Sequence, residues 1–183
     1  WHCHRGRAKG ISSYTDCVFY SYQRWLYTQT DRVASEEYDW LLEKGGMEYD
    51  SPLLDHKELY ERRAPGSTCL SALKSAVHQN YGTVDHHINN SQGCGGIMRV
   101  APAGLMFHDS HDQAFRVAAD CAAITHGHPS GYLSAGVLAY IIAAVLNGES
   151  IQLAAESSLD TLGRYEGYEE TLSFVEKALE LAD

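Results

Sequence analysis

The sequence lacks a secretory leader pattern and has no apolar run of membrane-spanning length. Its most apolar segment, 131–147, is shorter than the roughly 20 residues that a helix needs to cross a bilayer. It also has no CxxC pair, and its five cysteines are an odd number. That pattern suits a reducing compartment better than a secreted disulfide framework. We therefore expect a cytoplasmic protein.

Basic residues are scarce as well. The chain has 14 Lys and Arg against 24 Asp and Glu, a formal net charge of −10. Such a surface repels both a nucleic-acid backbone and an anionic membrane, so we expect neither as a partner. A small anionic ligand stays compatible, because a local pocket can differ from the overall field. The 183 residues, 44% of them hydrophobic, predict one globular domain over 1–183, and Trp1 in place of Met indicates part of a longer chain.

Strand patterns, repeats and low-complexity segments are also missing, whereas helical spacing is frequent. Val18, Tyr22, Trp25 and Leu26 recur at the intervals of a helix that starts just after Asp16. The predicted fold class is therefore all-α, a compact orthogonal multi-helix domain. Further helices are predicted over 35–44, 97–107 and 132–146, the second of them with an interruption near Pro102. Two more are predicted to start at Ser67 or Thr68 as N-cap and after Ser110. A last helix is predicted from the apolar stripe of Leu172, Val175, Leu179 and Ala182.

The segment after Ser110 combines a helix start with an inward stripe. Ser110 and Gln113 have the spacing of a capping box. The apolar stripe comprises Phe115, Ala118, Ala119, Ala122 and Ala123. His126 falls three and seven residues beyond two members of that stripe, so it shares the inward face. The following segment, 132–146, is apolar nearly all round, which predicts a buried central helix.

The most unusual stretch is SQGCGGIMRVAPAG, residues 91–104. It places four small residues, 93–96, one position before Met98 and Arg99. Bare amides at such a place can surround phosphate or ribose oxygens, with Arg99 adding a charge. A tight turn that lets two helices pack closely has the same composition. The spacing alone leaves both interpretations open, because this is neither a Walker loop nor a dinucleotide fingerprint.

Two histidine clusters allow a metal site or a simpler explanation. His126 and His128 lie close together in the sequence, but no further Cys or Asp motif completes a tetrahedral zinc set. A buried core histidine is the simpler interpretation of His126. The terminal segment 2–4, HCH, has the composition of a metal clip, yet termini commonly fray.

Thr15 and Asp16 also have two interpretations. Both precede a predicted helix, where such residues act as N-caps and stabilise the helix by about 1 kcal/mol. Their oxygens would equally suit a hard cation such as Mg²⁺, although a cation site needs more carboxylates than this pair supplies.

Three blocks, in this order along the chain, resemble the ADP-ribosylglycohydrolase family. They are RAPGSTCLSAL at 63–73, NSQGCGGIMRVAP at 90–102 and AITHGHP at 123–129. The resemblance implies an all-α domain that binds ADP-ribose in a cleft, with the Gly-rich loop against the ribose and the diphosphate. The ligand-binding residues that it implies are Gly93, Cys94, Gly95, Gly96, Met98, Arg99 and His126.

The resemblance also implies two Mg²⁺ ions, or Mn²⁺ in some members, as cofactors. Their Thr/Ser-Asp-Asp-Thr motif aligns with 15–18, TDCV, so that Thr15 and Asp16 are the implied metal ligands and Asp16 the catalytic carboxylate. Cys17 and Val18 replace two oxygen ligands, and neither suits a hard cation. The family's second acidic motif, Asp-x-Asp-Ser/Thr, does not occur before Asp183, and its N-terminal acidic segment is also absent.

The implied reaction is metal-dependent hydrolysis of the glycosidic bond that links ADP-ribose to an acceptor. With two oxygen ligands replaced, we expect this reaction to be impaired in the chain. One alternative is a non-catalytic module that binds ADP-ribose or a related nucleotide. Another is a structural helical subunit that a partner chain completes, with self-association as a homo-oligomer through exposed apolar faces.

Overall fold

The chain folds into helices and loops. A computed structural model describes residues 13–29, 52–76 and 80–182, and within these ranges there is no strand. Its α-helices are α1 (Tyr14–Gln29), α2 (Ser67–Ser75), α3 (Ala101–Met106), α4 (His111–Ala123), α5 (Pro129–Leu146), α6 (Ile151–Leu162) and α7 (Glu169–Glu180). The all-α prediction is confirmed. The predicted helix over 35–44 and the segment 2–4 lie outside the described residues.

The chain divides into two compact units, 1–79 and 80–183, so a single domain over 1–183 stays a prediction. In the first unit, α1 packs on α2 and on a short 3₁₀ helix, Lys57–Tyr60. Leu26 and Leu73 are fully buried there. The side-chain amide of the equally buried Gln23 donates to the carbonyl of Leu73 at 3.0 Å, which ties α1 to the α2 backbone.

Two helix starts and one helix cap differ from the predictions. Helix α1 begins at Tyr14, not after Asp16, because Ser13 Oγ accepts the N–H of Asp16 at 3.2 Å. Helix α2 has Gly66 as its N-cap, in place of the predicted Ser67 or Thr68. Ser110 is the N-cap of α4 as predicted, but its side chain makes no capping hydrogen bond, so the capping box was wrong.

Helix α5 is the centre of the second unit and contacts α3, α4, α6 and α7. The predicted stripe on α4 is buried, with Phe115 fully enclosed. Gly136 makes room for that ring, since a Cβ at position 136 would lie 2.7 Å from Phe115. Burying one such aromatic side chain contributes about 2–3 kcal/mol. The prediction of a buried central helix is confirmed for half of the residues of α5, whereas Val145 and Leu146 at its end are exposed.

Helix α5 is also the one described helix that is long and apolar enough to cross a membrane. Half of its residues are buried against the neighbouring helices, and a core helix has the same composition. The predicted stripe of α7 is only half-buried at Leu172, Val175 and Leu179, and Ala182 lies beyond the helix end.

Candidate ligand-binding site

The Gly-rich loop ends in a 3₁₀ turn, Ile97–Arg99, that leads into α3. The preceding residues, 80–92, are irregular. The predicted interruption of the helix falls at Val100, and Pro102 is the second residue of α3, where its missing N–H removes no helical hydrogen bond. Met98 is 77% exposed at the tip of the turn, whereas Arg99 is half-buried behind it.

Two glycines of this loop have different surroundings. A Cβ at Gly96 would lie 2.8 Å from the carbonyl oxygen of Gly131 and 3.0 Å from Cβ of Ala122. Gly96 therefore lets the loop pack closely on α4 and α5. A Cβ at Gly93 would lie 3.4 Å from Nε2 of His126, an ordinary contact, and Gly93 is exposed. Close helix packing thus explains why position 96 is glycine, but it does not explain the glycine at position 93.

Arg99 joins the loop to the end of α4. Its Nη1 donates to the carbonyl of Gly95 at 3.1 Å, and its Nη2 donates to the carbonyl of Cys121 at 3.2 Å. Nη2 also donates to Thr125 Oγ1 at 2.6 Å. Hydrogen bonds from a charged donor are about twice as strong as neutral ones. These bonds fix the loop's shape.

His126 is buried, with 2% of its surface exposed, as the stripe on α4 predicts. Its Nδ1 lies 2.8 Å from Thr125 Oγ1. Burial and the nearby positive charge of Arg99 lower the pKa of His126 to about 4. The imidazole is therefore neutral at physiological pH, and its Nε2 is the ring nitrogen on the side of Gly93.

Asn89, which the sequence analysis did not single out, connects the loop to the segment after α4. Its Oδ1 accepts the N–H groups of Ser91 and Gly127, both at 3.0 Å, and its Nδ2 donates to the carbonyl of Thr125 at 2.9 Å. A lone Asn in an aperiodic loop gives only a weak signal of such a role. Its partners become apparent only in the folded chain.

His128 has a structural task. Its Nδ1 accepts the N–H of Ser130 at 3.2 Å, which caps the start of α5. No group of three or more potential metal ligands occurs among the described residues. The cap at Ser130 therefore gives His128 a structural role that the sequence did not predict.

The predicted metal ligands belong to the first unit, at the start of α1. Thr15 and Asp16 are half-buried, and Cys17 is buried with 7% exposed. Two magnesium ions need several oxygen ligands, whereas this turn offers a thiol and an aliphatic side chain where the motif has oxygens. The donor set of 15–18 therefore does not fit a two-metal centre.

An all-α chain with this loop and this buried histidine has the features that the resemblance implies for an ADP-ribose-binding protein. The sequence profile of ADP-ribosylglycohydrolase matches residues 3–183. The chain belongs to the ADP-ribosylglycohydrolase family, whose substrates are ADP-ribosylated and whose members are generally metal-dependent. No solved structure matches the chain. The predicted site residues stay predictions.

Proposed function

We propose that the chain binds ADP-ribose on the loop 93–99 and that its glycohydrolase activity is impaired. The observation that supports ADP-ribose binding is that two backbone N–H groups of this loop have no protein acceptor among the described residues. The N–H groups of Cys94 and Gly95 donate to no protein acceptor in the ranges that the structure describes, and both residues are accessible to solvent. Exposed amides in a turn are suitable donors to anionic oxygens.

The surroundings of these amides favour an anion. Arg99 lies directly behind the loop and adds a positive potential, although the net charge of the chain is −10. His126 offers a ring nitrogen on the side of Gly93. A ribose diphosphate combines hydroxyl and anionic oxygens, which matches donors of these kinds. Family membership supports ADP-ribose as the specific compound.

The proposed loss of hydrolysis follows from the donor set of 15–18. One carboxylate, Asp16, and one hydroxyl, Thr15, stand where the family motif supplies four oxygen-bearing side chains. Cys17 is also buried, with 7% of its surface exposed, which disfavours access of a metal ion to its thiol. Binding of ADP-ribose should then be independent of divalent cations, and Asp16 cannot act with two metals to activate a water.

Calorimetric titration of ADP-ribose tests this proposal, once with millimolar Mg²⁺ and once with EDTA. We expect equal affinity in both buffers and no release of ADP-ribose from a modified peptide. Affinity that depends on Mg²⁺, or measurable hydrolysis, would contradict the impaired site. Absence of binding in both buffers would reject the ligand site. Gly95→Val should weaken binding, whereas Gly163→Ala is the control, because Gly163 ends α6 in a helical conformation that alanine adopts readily.

A structural role is a second candidate, and one observation favours it. An apolar groove of about 590 Å³ lies among α5, α6 and α7. Two of its lining residues, Ile151 and Phe174, are 71% and 67% exposed. Exposed apolar surface of this kind is common at protein interfaces. Light scattering on the chain and on Phe174→Ser tests self-association, and a monomeric mass for both would count against it.

A further inference from the structure

The Thr125 side chain lies between a cation and an imidazole. Its Oγ1 is 2.6 Å from Nη2 of Arg99 and 2.8 Å from Nδ1 of His126. A guanidinium can only donate hydrogen bonds, so Oγ1 accepts from Arg99. Thr125 is fully buried, and in the described part of the chain its hydroxyl proton has one acceptor within reach, Nδ1 of His126.

The hydrogen-bond donors and acceptors around Thr125 Oγ1 decide which ring nitrogen of His126 carries the proton. A buried hydroxyl whose proton finds no acceptor is costly, so the Thr125 hydroxyl donates to Nδ1. Nδ1 must then carry a lone pair, and a neutral imidazole of this kind has its proton on Nε2. The charge of Arg99 opposes a second proton on the ring, in the same direction as the lowered pKa of His126.

The protonated nitrogen lies on the side of the loop. A Cβ at position 93 would be only 3.4 Å from Nε2 of His126, and glycine places no side chain there. Gly93 itself is exposed. A ligand atom that lies against the backbone at Gly93 would therefore meet an N–H group, which binds an acceptor oxygen and repels another donor.

We propose that Arg99 and Thr125 are positioning residues that hold His126 as the Nε2–H tautomer, from which it donates a hydrogen bond to an oxygen of the bound ADP-ribose. The identity of the ligand rests on the proposed function, whereas the tautomer rests only on the contacts above. Arg99 acts on the ligand through Thr125 in this arrangement, and its Nη1 and Nη2 groups donate to protein acceptors.

Nitrogen-15 NMR of the free protein tests the tautomer, because protonated and unprotonated ring nitrogens differ in chemical shift. The His126 signals are assigned by their loss in His126→Asn. We expect Nε2 to be protonated and Nδ1 unprotonated at pH 7. A proton on Nδ1 would overturn the inference whether or not ADP-ribose binds.

Two Thr125 variants separate positioning from a general structural role. Thr125→Ser keeps the hydroxyl and should keep the tautomer and the affinity within about twofold of wild type. Thr125→Val keeps the shape but removes the donor to Nδ1. Its His126 should populate both tautomers, and its affinity for ADP-ribose should fall about tenfold. Unchanged His126 signals in a folded Thr125→Val would overturn the inference.

The hydrogen bond from His126 to the ligand is tested separately, by the NMR signal of the Nε2–H group. ADP-ribose should move the Nε2–H signal of His126 in the wild type. Gly93→Ala should keep the tautomer but weaken binding, because its Cβ would cover Nε2. In the matched control Gly163→Ala, the new Cβ has an equal 3.4 Å contact, with the carbonyl oxygen of Leu159 in α6. Binding that leaves the Nε2–H signal in place would overturn the contact. No heat in the calorimeter would instead reject the proposed function, while the tautomer is still read from the free protein.

Discussion

Gly96 approaches Gly131 so closely that a Cβ on Gly96 would lie 2.8 Å from the carbonyl oxygen of Gly131. Because this neighbour is backbone, it cannot move aside as a flexible side chain can. Gly96→Ala should therefore lower the free energy of unfolding by about 1–3 kcal/mol. Urea denaturation measures this effect, with Gly163→Ala as the control that should stay within about 0.5 kcal/mol of wild type. Equal stability of the two variants would contradict the close packing.

The pH dependence of stability should report His126. Its pKa is about 4 in the folded chain and about 6.5 when unfolded, so only the unfolded state binds the proton between these values. Above pH 6.5, His126 therefore has no effect on how the free energy of unfolding changes with pH. As the pH falls from 6.5 to 4, proton binding to the unfolded state lowers this free energy by about 3 kcal/mol in total. His126→Asn does not titrate and should lose less stability over this range. Parallel urea-denaturation profiles for the two proteins would be the contrary result.

Arg99 and Arg164 allow a matched comparison of a half-buried and an exposed arginine. Arg99 donates to backbone carbonyls and to Thr125, whereas Arg164 pairs with Asp112 at 3.0 Å with both side chains about 60% exposed. Arg99→Lys should lower the unfolding free energy by about 2 kcal/mol, since an ammonium group cannot reproduce the fork of donors. Arg164→Lys should change it by less than about 1 kcal/mol. Chemical denaturation measures the unfolding free energy of both variants, and equal losses would contradict a stronger stabilising role for Arg99.

Cysteine labelling should distinguish the loop from the core. Cys94 is exposed, whereas Cys121 is buried and burial raises the pKa of its thiol to about 12. At pH 8, a thiol reagent should therefore label Cys94 rapidly and Cys121 only after unfolding. Peptide mass spectrometry identifies the labelled residues. ADP-ribose at saturating concentration should slow the labelling of Cys94, and the same rate with and without ligand would count against its place at the ligand.

The strongest sequence patterns predicted the fold well. Five apolar residues at helical spacing placed the buried face of α4, and continuous apolar composition placed α5 at the centre, because burial of such residues dominates folding. Helix starts were less predictable. Several residues near each start could cap it, so Ser13 and Gly66 took the positions predicted for their neighbours. The burial of His126 was predicted from the stripe that it continues, while the role of Asn89 was not predicted.

The sequence by itself determined the all-α class, the family and the small residues of the loop, since helical periodicity and ordered motif blocks are local properties of the chain. Only the tertiary structure decided what these residues contact. Arg99 bonds to Thr125, 26 positions away, and Gly96 lies against Gly131. Such partners meet only when α4 and α5 pack, because hydrogen bonds and close contacts need a geometry that residue spacing does not contain. The tautomer of His126 follows from that geometry.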